Sequence, residues 1–106
     1  MEYPLREKSY KFALRVIKLY KFQVTENKEF VLSKQVLRSG TAIGALISEA
    51  KFGQSTADFI SKMNIALKEA NETDYWLSLL KDSDYIDEKQ YKSLHKDINE
   101  LISMLV

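Results

Sequence analysis

Apolar residues recur along this chain at intervals of three and four, and three short polar runs interrupt them. That spacing is the period of an α-helix with one buried face, so it predicts four helices. Leu5, Phe12, Val16 and Leu19 share a face of a first helix from about Pro4 to Val24, which the polar run Thr25-Glu26-Asn27-Lys28 ends. Pro4 suits the opening turn, where its missing N–H costs nothing. A second helix from about Phe30 to Phe52 carries Leu32, Val36, Ile43, Ile47 and Ala50, with Gly53 expected as its C-cap. A third starts at Ser55, where Asp58 stands in for the usual Glu or Gln of a capping box. Its stripe is Phe59, Met63, Ala66, Ala70 and Leu77, and it ends near Lys81. The fourth starts at Asp87, with Gln90 completing an approximate capping box and Ile86 set to staple onto Tyr91. Tyr91, Leu94, Ile98, Leu101 and Leu105 form its core face. The expectation is an all-α, up-down-up-down four-helix bundle, with residues 1–106 as a single domain.

Two helices carry more apolar surface than one buried stripe explains. Tyr10, Leu14 and Ile17 lie well away from the Phe12/Val16 stripe on the first helix. Ile65, Trp76 and Leu79 lie away from the Phe59/Ala70 stripe on the third. The fourth helix differs: its back is polar, with Lys89, Lys92, Lys96, Asn99 and Ser103. A second stripe on two helices predicts burial against another copy of the chain. Glu69 and Glu72 sit between Ile65 and Trp76, and are read as salt-bridge partners of that neighbour. Gly40 and Gly44 form a small-x-x-x-small pair on the second helix. Each costs about 0.5–1 kcal/mol relative to Ala in a helix, which a close helix contact could offset.

Composition narrows the chemistry. The chain has no cysteine, which excludes disulfides, thiolate metal sites and cysteine nucleophiles. Its one histidine, His95, has Lys92 three residues before it, so the paired Glu-x-x-His motifs of a di-iron bundle are absent. His95 is therefore read as structural or solvent-facing. Glu49, Glu69 and Glu72 are the carboxylates that could converge for acid–base or metal chemistry, but phosphate-loop, nucleophile-elbow and zinc-protease spacings are missing. No catalytic residue, metal ligand or cofactor is assigned. A helix-turn-helix with Gly40 in its turn is disfavoured, because Thr41 to Ile47 offers no side chain for bidentate base reading.

Net charge is +1, but residues 1–24 hold six Lys/Arg against two Glu. Lys8, Lys11, Arg15 and Lys18 are spaced 3, 4 and 3 apart and form one basic ridge beside the apolar face of the first helix. Such a ridge can track phosphates and lends affinity more readily than sequence specificity, so RNA or DNA is the candidate partner. A protein partner without nucleic-acid affinity is the alternative. The opening Met1-Glu2-Tyr3-Pro4-Leu5-Arg6-Glu7-Lys8 lacks the apolar stretch of a signal peptide, and no apolar run reaches membrane-span length. A cytoplasmic protein of bacterial type, with no membrane partner, is expected.

Leu37-Arg38-Ser39-Gly40-Thr41-Ala42-Ile43-Gly44-Ala45, Glu49-Ala50, Asp58-Phe59-Ile60-Ser61-Lys62-Met63 and Ala66-Leu67-Lys68-Glu69-Ala70-Asn71-Glu72-Thr73 resemble the bacterial four-helix-bundle proteins also called 23S rRNA-intervening-sequence proteins. The resemblance spans essentially the whole chain and is strongest from Gln35 to Leu80. It implies an up-down bundle that assembles into a homopentamer. Some members are encoded by insertions within large-subunit ribosomal RNA genes. A related branch, the accessory proteins of diversity-generating retroelements, binds nucleic acid and a partner reverse transcriptase. Many relatives read Ser-Ile-x-Ala-Asn where this chain has Ala42-Ile43-Gly44-Ala45-Leu46, so a polar role for that Asn is closed to Leu46.

Overall fold

The computed structural model describes residues 2–106, with side chains described from Pro4 onward. Four α-helices follow one another: α1, Glu2–Phe22; α2, Val31–Lys51; α3, Thr56–Asp82; and α4, Glu88–Leu105. No strand occurs among the described residues. Each helix packs on the next and α1 returns to α4, closing a four-helix bundle. Its backbone extends over 44 × 21 × 19 Å. The long dimension matches a helix of 27 residues, about 40 Å at 1.5 Å per residue.

The predicted stripes meet in the middle. Phe12, Val16, Val36, Ile43, Ile47, Ala66, Ala70, Leu77, Leu80, Ile98 and Leu101 are at most 2% exposed. Leu32, Met63, Tyr91 and Leu105 are half-buried and pack against that core, while Phe59 is half-buried outside it. Ala66 and Ala70 are small enough to draw α3 close to its neighbours. At the α2–α3 contact, the fully buried Thr73 hydroxyl donates to Ser39 Oγ at 2.8 Å, and Ser39 donates to the Gln35 carbonyl at 2.9 Å.

Three boundaries differ from the periodic reading. The first helix does not fray at Thr25. It passes into a π-helical turn over Gln23–Asn27 and stops at Lys28, in the left-handed conformation at φ 53°. The wider turn keeps Gln23 fully buried. Its amide donates to the Tyr85 carbonyl at 3.2 Å and its oxygen accepts from Asn27 at 2.8 Å, so a polar side chain at the core edge is satisfied. Second, α2 starts at Val31 without a side-chain bond from its N-cap, Phe30. Glu29, one residue earlier, takes that role: its carboxylate accepts from the backbone N–H of Val31, Leu32 and Ser33 and from the Ser33 hydroxyl, at 2.6–3.0 Å. Third, Gly53 is not the C-cap of α2. Phe52 is, and Gly53 lacks positive φ. The position is tight instead: an added Cβ would sit 3.0 Å from Asp58 Oδ2 and 3.2 Å from the Ala50 carbonyl oxygen.

Both remaining helix starts have predicted caps. Ser55 Oγ accepts from the Asp58 N–H at 3.1 Å; the shorter Asp58 side chain reaches back only to the Gln54 N–H, at 3.3 Å. Asp87 and Gln90 form a complete reciprocal box, at 2.7 and 3.2 Å.

Candidate functional site

The basic ridge runs along the seam between α1 and α4, and most of it is already paired. Lys8 lies 3.7 Å from Glu100, and Lys11 lies 3.9 Å from Glu7. Arg15 meets Asp97 at 2.6 Å and donates to Ser93 Oγ at 2.9 Å. Exposed pairs of this kind contribute roughly 0–1 kcal/mol and can open, but their carboxylates offset the ridge's positive potential. Lys18 has no carboxylate partner among the described residues. Where Lys18 and Lys89 face the seam, a groove of about 500 Å³ opens between Arg15, Phe22, Gln90 and Ser93, floored by Leu19 and Leu94.

The extra apolar residues divide by helix. On α1, Tyr10 is 66% and Leu14 51% exposed, while Ile17 is half-buried. Tyr10 also borders a second groove of about 500 Å³ between α1 and α2, walled by Ser9, Ala13, Thr41, Gly44, Ala45 and Ser48. On α3, Ile65 is exposed, but Trp76 and Leu79 are half-buried and Trp76 packs against the core. Of the glycine pair, Gly40 makes the close contact: an added Cβ would lie 2.8 Å from Val16 Cγ2. At Gly44 the nearest atom is Ser9 Oγ at 3.4 Å, so Gly44 lines the groove.

The carboxylates do not converge as a reactive group. Glu69 and Glu72 both pair with Arg38 of α2 in the same chain, Glu69 at 3.3 Å. Trp76 Nε1 donates to Glu72 at 3.0 Å. These contacts within the chain engage both side chains that the sequence reading assigned to a neighbouring copy. The reason is register: α2 and α3 are antiparallel neighbours, and Arg38 faces one turn of α3. Glu49 lies eleven residues beyond Arg38, about 16 Å along the axis. No cluster of three or more potential metal-ligating side chains occurs among the described residues.

A polar network between α3 and α4 escaped the sequence reading. His95 Nδ1 lies 2.7 Å from Asp74 Oδ1, which also accepts from the Tyr91 hydroxyl at 3.2 Å. Asn99 Nδ2 lies 3.1 Å from His95 Nε2. Because an ionised carboxylate can only accept, Nδ1 carries a proton toward Asp74, and in the neutral ring Nε2 is left to accept from Asn99. Both ring nitrogens are thereby engaged, and the Asp74–His95 bond clasps α3 to α4. Tyr91 stacks on His95, and Lys81 Nζ lies 4.5 Å from the Tyr91 ring centroid. The spacing of Tyr91 and His95 signals half of this arrangement; Asp74 sits twenty-one residues from His95 on another helix.

No helix is long and apolar enough to cross a membrane among the described residues. The family model described as 23S rRNA-intervening sequence protein matches residues 2–106. Among solved structures, the chain is similar to a protein of unknown function from the S23 ribosomal protein family of Bacteroides thetaiotaomicron VPI-5482. The two share 57% identity and superpose with a TM-score of 0.97, over 98% of this chain and 93% of that one. None of the curated proteins compared with the chain matches it.

Proposed function

The chain belongs to the 23S rRNA-intervening sequence protein family, and from that premise we propose that it acts without catalysis, as a self-associating four-helix bundle in the cytoplasm that docks a macromolecular partner. The observation that carries this reading is the uncovered apolar face of α1. Tyr10 and Leu14 stand out from the bundle, and Tyr10 borders a groove whose α2 wall is small residues. Small side chains let another helix approach the backbone closely, and exposed Tyr and Leu supply the apolar area such a contact would bury. Five copies is the stoichiometry the family resemblance implies.

Light scattering coupled to size exclusion tests the assembly, and a monomer mass at micromolar concentration overturns it. Leu14→Asp should lower the mass while leaving helix content intact, because Leu14 makes no part of the core. Trp76→Asp is the poorer probe, since Trp76 packs against the core and would perturb the fold itself.

RNA or DNA as the partner is the second reading. It is favoured by Lys18 and Lys89, which share the groove in the α1–α4 seam and lack a carboxylate partner among the described residues. A protein partner such as a reverse transcriptase would instead use the apolar face.

A further inference from the structure

The α1–α4 seam has two unlike halves. Its upper half is lined by Lys8, Lys11 and Arg15 together with Asp97 and Glu100, so cations and carboxylates compensate each other there. Its lower half is lined by Arg15, Lys18 and Lys89 with no carboxylate among its walls. Phe22 stands at the end of this half, 49% exposed. It is the last residue of α1, and the π-helical turn that follows holds its neighbour Gln23 inward. Arg15 and Phe22 are seven residues apart, about 10 Å along the helix axis. Ser93 and Gln90 add polar groups between them.

We propose that this lower groove is a binding site for single-stranded nucleic acid, with Lys18 and Lys89 meeting phosphates and Phe22 stacking on a base. It rests on the nucleic-acid reading above and replaces the Lys8–Lys18 ridge with a shorter, acid-free site. Charge alone would suit any polyanion. The exposed aromatic ring beside the cations is what selects an unpaired base, because a duplex hides its base faces within its own stack. A groove of about 500 Å³ is also within the range of small-ligand clefts.

The test is fluorescence anisotropy with the full chain, a labelled uridine-rich RNA of about 12 nucleotides and a duplex of equal length. Salt is varied from roughly 50 to 200 mM. The single strand should bind at least about tenfold more tightly than the duplex. Two or three phosphate contacts should give a log–log salt slope of about −1.4 to −2. Phe22→Leu, which keeps apolar bulk but removes the π-face, should weaken the single strand about tenfold and leave the duplex unchanged. Lys18→Gln with Lys89→Gln should flatten the slope, whereas Lys8→Gln with Lys11→Gln should not. Circular dichroism and oligomer mass should be unchanged in all variants, since all these side chains are exposed. Binding of neither probe removes the nucleic-acid reading and this site with it. Equal binding of both, indifferent to Phe22, leaves that reading standing and overturns the groove. Displacement of the RNA by a phosphoserine peptide as readily as by unlabelled RNA also overturns it, since the groove would then be a plain phosphate site.

Discussion

Removing the Glu29 carboxylate should destabilise the bundle more than any other single change at its surface-facing helix ends. The first N–H groups of a helix have no partner within it. At α2 one carboxylate satisfies three of them, and the Ser33 hydroxyl as well. Water can replace the carboxylate at exposed Val31. It cannot readily do so at Ser33, which is 1% exposed, and leaving buried donors unmet costs about 1–3 kcal/mol. With about 1 kcal/mol for a lost cap, Glu29→Ala should cost about 2–4 kcal/mol, and Glu29→Gln about half of that. For a chain of this size the Ala variant should melt about 8 °C or more below wild type. Burial pushes the Glu29 carboxyl up, but bonds from the Ser33 side chain and from the backbone N–H groups of Leu32, Ser33 and Val31 outweigh it and hold the carboxyl below its ordinary value. A carboxylate with a lowered folded-state pKa stabilises above its unfolded pKa, about 4.3, and that contribution fades as pH falls through the folded value. The gap between wild type and Glu29→Gln should therefore be constant from neutral pH to about pH 5 and close below about pH 4. Thermal unfolding followed by circular dichroism at fixed protein concentration measures both. Melting within about 2 °C of wild type for the Ala variant would show that water caps α2 equally well. A gap undiminished at pH 3, about a unit below the ordinary value, would show that ionisation is not the source.

The two helical glycines should respond with opposite signs. Gly40→Ala should lose about 1 kcal/mol, because a contact of 2.8 Å with buried Val16 costs more than the gain in helix propensity, and Val16→Ala in the same chain should relieve it. Gly44→Ala should gain about 0.5–1 kcal/mol; denaturant unfolding decides, and equal signs would refute the assignment. Thr73→Val and Ser39→Ala should each cost about 1 kcal/mol, while the double variant should cost clearly less than their sum; additivity in a double-mutant cycle would show that the 2.8 Å bond is not coupled. His95→Ala should unlock Asp74 and Asn99 and raise hydrogen exchange at the α3–α4 contact without changing oligomer mass.

Features set by near neighbours in sequence were legible without the structure. The stripe spacing put Phe12, Val16, Ile43, Ala66, Ala70, Leu77, Ile98 and Leu101 in the core, and all are buried. Ser55 and Asp87 marked helix starts because a cap and its N–H partner are only three residues apart. Periodicity and capping are properties of one helix, so one helix's residues suffice to reveal them. Glu29 slipped past because it caps from one position further out. What the tertiary structure alone decided is which outward faces meet. Arg38 reaches Glu69 and Glu72 across more than thirty residues, Arg15 reaches Asp97 across eighty-two, and Asp74 clasps His95 from the neighbouring helix. The period of a helix says that these side chains point outward, but not the rotation and offset at which two helices dock. Those are set by how Gly40 fits Val16 and how the alanines of α3 pack, and a shift of one turn would have handed every charge a different partner.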